Sequence, residues 1–196
     1  MKGRNIVLIV IIALILIVGG CGCSGYNNLV SQDETVKKAW ANVETDYQNR
    51  NDLVGNLVET VKGAANFERT TLTEVINARA RATSVNISAD SLTPENIQKF
   101  QNAQAQLTGA LSRLLVSVER YPELKANQNF LQLQGQLEGI ENGIRNSRKT
   151  FNDAVNTYNV QVRRFPTNIF AGIFGFRQKQ PFAAEEGAEK APKVQF

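Results

Sequence analysis

Residues 6–18 read IVLIVIIALILIV, an unbroken apolar run with Lys2 and Arg4 before it and Gly19-Gly20-Cys21 behind it. A buried core helix is the disfavoured reading of such a run at an extreme terminus, because a helix apolar on every side needs neighbours all round it. A basic start, an apolar middle and a small-residue exit are the parts of an export signal or a signal anchor. Thirteen apolar residues fall short of the roughly 20 that cross a bilayer. Carried on through the small residues to Tyr26, the segment becomes just long enough, and Lys2 and Arg4 then hold the N-terminus on the cytoplasmic side with the body outside. In a second reading, Val18-Gly19-Gly20-Cys21 resembles the lipobox of bacterial lipoproteins, in which the Cys21 thiol takes a diacylglyceryl group. Both readings stay open, and both place the body at a bacterial cell membrane, on its extracytoplasmic side.

Composition narrows the chemistry. The 196 residues contain no histidine, which removes the commonest general base and the most frequent transition-metal ligand together. The two cysteines, Cys21 and Cys23, are too few for a disulfide framework or for a zinc site of about four ligands. A net charge of +4, dispersed along the chain, does not point to nucleic acid. No glycine-rich phosphate loop, nucleophile elbow or Glu-x-x-His pair is present. The sequence therefore predicts no cofactor, no metal and no catalytic residue.

From Glu34 onward apolar residues return every three or four positions: Val36, Trp40, Val43, Tyr47, Val54, Leu57, Val61, Ala65, Leu72 and Val75. The rhythm predicts one long helix, capped by Ser31 or Asp33, running to about Thr83 and bent at Gly55. Residues 84–93 (SVNISADSLT) are polar and aperiodic, a loop. Thr93-Pro94 then reads as cap and first turn of a second helix, with the stripe Ile97, Phe100, Gln104, Leu107, Leu111, Leu114, Val118 and Tyr121, closed by Pro122. Asn127 or Asn129 opens a third, whose stripe runs Phe130, Leu133, Leu137, Ile140, Ile144, Phe151, Val155, Tyr158, Val162 and Phe165, ended by Pro166. Helices with one apolar stripe each must bury those stripes against one another. The expected fold is all-α, an antiparallel bundle of three long helices, or four if the first breaks near Gly55. Residues 1–25 form the signal or anchor, 26–176 the bundle and 177–196 a disordered tail, rich in Ala, Glu, Lys and Pro from Ala183 onward.

With the helices placed, a set of short motifs stands out: Tyr26-Asn27-Asn28-Leu29-Val30, Ala39-Trp40, Asp52-Leu53-Val54, Asn56-Leu57-Val58, Val61-Lys62-Gly63, Ala78-Arg79, the run at 119–126 (ERYPELKA), Asn129-Phe130, Leu133-Gln134, Glu141-Asn142, Arg148, Asn152, Tyr158-Asn159 and Gly175-Phe176. Together they resemble the LemA family over residues 26–176. The resemblance implies an N-terminal membrane segment followed by long bundled helices, with no established enzymatic activity. It also implies proximity to membrane-protease and envelope-stress functions. Gly55 stands where that family usually has proline, and the surroundings of Cys21 are not typical of it, so lipidation is not part of what the resemblance implies.

Polar residues interrupt or flank the stripes at Arg50, Glu68, Arg79, Glu119 and Arg148. A charge out of water costs several kcal/mol unless paired, so these five are expected to form a buried ion-pair layer that sets helix register. A rival reading makes them an enzyme site between helices around Glu119, Arg79 and Arg148. The aromatics Trp40, Tyr47, Phe151 and Tyr158 are core at helical spacing. The apolar segment 169–176 has three possible neighbours: the bundle end, lipid or a partner. A first helix of 50 residues rises about 75 Å, so a three-pass bundle leaves this segment far from the anchor, at the tip or on a partner. The function expected is that of a non-enzymatic, membrane-tethered helical protein acting through unidentified envelope proteins, or a structural lipoprotein. Its contact surfaces are the Asn- and Gln-rich faces at 98–106 and 128–136, and self-association into a homo-oligomer is compatible with them.

Overall fold

The computed structural model describes residues 2–64 and 67–183, with side chains from residue 22 onward; Ala65 and everything beyond Ala183 lie outside the described residues. All regular structure among them is helical: α1 (Lys2–Lys62), α2 (Arg69–Ser84), a 3-10 turn (Ala89–Ser91), α3 (Pro94–Val118), a single turn α4 (Pro122–Lys125), α5 (Gln128–Arg163) and α6 (Thr167–Phe174). Helix α1 has 61 residues, about 90 Å at 1.5 Å per residue. It passes through Gly55 without interruption.

The predicted helix from Glu34 to Thr83 is thus two helices, and the reversal falls after Lys62 rather than at Gly55. The local cause is a familiar ending: Lys62 sits in the last turn, Gly63 follows, and the backbone tightens through a bond from the Ala64 amide to the Val61 carbonyl (3.1 Å). The apolar rhythm hides the break because both sides of it feed one cluster. Leu53, Leu57, Val58 and Val61 of α1 meet Val75, Ala78 and Ala82 of α2 there, with Leu107, Leu111 and Leu114 of α3 and Leu137 of α5. A second cluster nearer the N-terminal end gathers Val36, Trp40, Val43 and Tyr47 with Phe100, Ile144, Phe151, Val155 and Tyr158.

The other helix boundaries follow their sequence signals. The Thr93 hydroxyl accepts from the Asn96 amide at 3.3 Å, with Pro94 in the first turn. Asn127, not Asn129, caps α5, accepting from the Phe130 amide at 3.1 Å. The Trp40 indole donates to the Ile87 carbonyl at 3.0 Å and ties the loop before α3 to the middle of α1.

An extra reversal changes where the chain ends up. Helix α1 runs away from the N-terminal end, α2 returns along it to the level of Trp40, α3 runs out again, and α5 comes all the way back. Four passes return to the base. Phe170 of α6 packs on Gly22, its ring 2.8 Å from where a Cβ there would lie, and also meets Gly25. The segment 169–176 is therefore beside α1 at Gly22 and Gly25, not at the far tip that three passes require.

Candidate functional site

Between the two clusters lies Arg50, 2% exposed in the middle of the α1 stripe. Its guanidinium donates to Thr108 Oγ1 at 3.2 Å, to Glu141 Oε1 at 3.0 Å and to Gln104 Oε1. Helices α3 and α5 are thereby pinned to α1 at one level, and Arg50 also lies over the Tyr47 ring, 4.9 Å from its centroid. Neither Gln104 nor Glu141 was foreseen as its partner. Gln104 stands in the α3 stripe where every neighbour is apolar, which is the signal that marks it; Glu141 is one step outside the α5 stripe and carries no such mark.

The five residues expected in one buried layer are distributed along the molecule. Glu68 and Glu119 are exposed, bound to Arg120 (3.0 Å) and Lys125 respectively. Arg79 donates from Nε to the Asn51 backbone carbonyl at 2.7 Å. Arg148 reaches the C-terminal segment. Only Arg50 is buried, and its carboxylate is Glu141. The enzyme site imagined around Glu119, Arg79 and Arg148 does not assemble either, because each of the three sits among a different set of partners.

A cleft of about 710 Å³ opens over the Arg50 level, lined by Arg50, Gln101, Gln104, Glu141, Arg145 and Arg148 among others. The Thr108 hydroxyl in its lining is committed, donating to the Gln104 carbonyl at 3.1 Å while accepting from Arg50. Among the described residues no cluster of His, Cys, Asp or Glu has the makings of a metal site. What the cleft offers is guanidinium and carboxamide groups, the equipment for holding carbonyls and carboxylates.

Ala183 in its lining ends the chain's own C-terminal segment, 176–183, an extended strap laid along α5. Asn159 closes a pair of bonds on the backbone of Lys179, accepting from its amide at 2.9 Å and donating to its carbonyl at 2.8 Å. Asn152 does the same for Phe182, at 2.8 and 3.2 Å. The two spacings agree: seven helical residues rise about 10.5 Å and three extended residues about 10 Å. Side chains add selectivity. Lys179 Nζ meets Asp33 at 2.9 Å and lies over the Tyr158 ring. Phe182 enters a box of Trp40, Phe100 and Phe151, with ring centroids 5.9, 6.3 and 5.3 Å away. Arg148 covers the outer face of Phe182 at 4.9 Å and, with Gln101, donates to the Ala183 carbonyl. Residues 177–183, assigned by composition to a disordered tail, are seated by these contacts. Part of the polar face at 98–106 is likewise engaged rather than open.

The sequence pattern of the LemA family matches residues 39–196, which takes in the Arg50 level and the strap alike. The chain belongs to the LemA family. Among LemA-related proteins it is 26% identical over 179 residues to magnetosome protein MamQ 2 of Paramagnetospirillum magneticum, an alignment covering 80% of this chain and 64% of that protein. It is equally similar to magnetosome protein MamQ of Magnetospirillum gryphiswaldense. It is 23% identical over 160 residues to Protein LemA of Metamycoplasma hominis, covering 82% of this chain and 69% of that one. The chain thus spans about 64% of the length of the magnetosome relatives. None of these names denotes an enzyme.

Proposed function

We propose that this chain is a non-enzymatic helical post, held at a bacterial membrane by residues 6–18, that works by gripping extended polypeptide segments. The observation that carries the reading is the pair of carboxamides, Asn152 and Asn159, each bonded to both backbone groups of one residue in the strap. Backbone-directed rungs hold any extended segment, and the aromatic box and Asp33 select a cation followed three residues later by an aromatic ring. Partner proteins in the envelope are then engaged along this face and the adjoining cleft. Among the described residues no helix is long and apolar enough to cross a membrane; the support for a tether is the sequence of the basic-flanked apolar run at 6–18, whose side chains lie outside the described residues. A photoreactive residue at Arg145, on the cleft and beside the strap, tests the reading in native membranes. Defined protein crosslinks there, lost on Asn152→Leu, are the expected result, and a pattern no different from a reporter at Gln132 overturns it.

The lipobox-like Val18-Gly19-Gly20-Cys21 favours a second form of the same tether, a lipid on Cys21. Mass spectrometry of the mature N-terminus separates the two: an acylated Cys21 supports the lipoprotein, an intact Met1 the uncleaved anchor.

A further inference from the structure

We infer that α6 is a lipid-contacting helix, lying in the surface of the bilayer that the N-terminal run enters, with an anionic phospholipid headgroup layer as its partner. This rests on the tethered reading above and adds to it a second, independent point of membrane contact.

Exposed apolar surface at one end of the molecule is the first ground. Tyr26, Val160, Phe165, Ile169, Ile173 and Phe174 all carry exposed rings or branched chains at this end, Phe165 at 76% and Ile173 at 70%. Along α6 the two faces separate by helical geometry. Thr167, Phe170 and Ala171 turn inward, toward Gly22 and Gly25 in the case of the first two, while Ile169 and Ile173, four residues apart, share the outward face. A contiguous patch of this kind on a small body marks an interaction surface.

Position identifies what covers it. Gly22 is four residues past Val18, about 6 Å along the helix axis, so α6 rests on α1 at the level where the apolar run gives way to polar sequence. A span carried to Tyr26 reaches the bilayer surface about 6 Å beyond Gly22, and a lipid on Cys21 puts that surface one residue before it; α6, which meets α1 from Gly22 to Tyr26, is at the surface in both cases. The glycines at 22 and 25 let the α6 ring approach the α1 backbone, which keeps α6 tight against the root of the post.

Charge agrees with the assignment. Arg163, Arg164 and Arg177 flank α6 and are all exposed, and no Asp or Glu occurs in 154–183 or in 22–32. Apolar residues between exposed arginines, with the rings of Tyr26, Phe174 and Phe176 clustered at 4.8 and 5.8 Å, are the composition of an interfacial segment facing anionic lipid. A protein partner needs no acid-free zone on both elements at this one level.

The test uses the full chain in vesicles of phosphatidylcholine and phosphatidylglycerol with bromines on the acyl chains. Trp40, the single tryptophan, is buried about 27 Å farther along α1 than Gly22 and serves as a reference beyond reach of the bromines. Ile173→Trp adds a reporter at an exposed site, and Ile76→Trp a control on the distal body. The expected result is a blue-shifted component from position 173, quenched about twofold or more by brominated lipid and weakened when phosphatidylglycerol is omitted or when Arg163, Arg164 and Arg177 are changed together to Gln. The position 76 reporter stays unquenched. Alkaline carbonate extraction reads the tether separately. A chain that resists extraction yet shows no quenching at 173 overturns the lipid contact; a chain that is extracted overturns the tether beneath it.

Discussion

The Asn152 carboxamide closes a two-bond ring on the backbone of Phe182, accepting from its amide at 2.8 Å and donating to its carbonyl at 3.2 Å. A side chain of one helix thus does for a strap residue what a neighbouring strand does in a sheet. Asn152→Leu keeps the bulk and removes both bonds. At about 1 kcal/mol per bond the strap loses about 2 kcal/mol of seating, roughly 30-fold in its equilibrium. Amide exchange at Phe182 and Gln180 is expected to quicken by that factor while the amides of α3 and α5 keep their protection. Unchanged exchange at Phe182 contradicts the role given to Asn152.

Arg50 and Glu141 are an unequal pair, since the arginine is sealed and the glutamate is one-third exposed. Removing the glutamate leaves a buried cation with only neutral partners; removing the arginine leaves a carboxylate that turns to water. Glu141→Ala is therefore expected to cost about 2–3 kcal/mol, somewhat below the usual figure for breaking a fully buried pair because solvent already reaches one side. Arg50→Met, which fills the space with an adaptable apolar chain, is expected to cost less than Glu141→Ala. Chemical denaturation followed by helical circular dichroism decides the order.

How much of this was readable beforehand varies with the kind of signal. Thr93-Pro94 and Asn127 announce the starts of α3 and α5 because capping is a local bargain between a side chain and the next amides. Arg50 announces itself as a charge inside an apolar stripe. The reversal between Lys62 and Arg69 was obscured because the stripes on its two sides serve one cluster and so keep step. The strap left almost no trace, since an extended segment whose bonds come from another helix needs no periodicity of its own. Its mark lies instead on α5, in Asn152 and Asn159, two turns apart beside the stripe. The return of α6 to the base followed from the number of passes, so one missed turn moved it from one end of the molecule to the other.

Gly55 faces Arg79: a Cβ there would lie 3.1 Å from a guanidinium nitrogen of Arg79 and 3.2 Å from its Cζ. Two effects oppose each other in Gly55→Ala. Alanine in a helix interior is favoured over glycine by about 1 kcal/mol, and the arginine must yield a few tenths of an ångström while its Nε holds the Asn51 carbonyl at 2.7 Å. Gly55→Ala is expected to stabilise by about 1 kcal/mol more in an Arg79→Ala background than in the native one. A double-mutant cycle measures the difference, and additivity within error refutes the contact.

Tyr158 is buried between α1 and α5, and burial, aided by the negative charge of Asp33 and opposed by Lys37, pushes its phenol up to about 12. An acid whose folded value lies above the ordinary 10 holds its proton more tightly when folded. The stabilisation is therefore complete below pH 10 and disappears as the pH rises toward 12, where the folded phenol ionises as well. Two pH units correspond to about 2–3 kcal/mol at most. Lysines also discharge in this range, so Tyr158→Phe serves as the reference, sharing every other titration. The stability of the native chain relative to that variant is expected to be flat from pH 7 to 9.5 and to fall between pH 10 and 12. A relative stability that rises there, or does not move, removes Tyr158 from the account of alkaline unfolding.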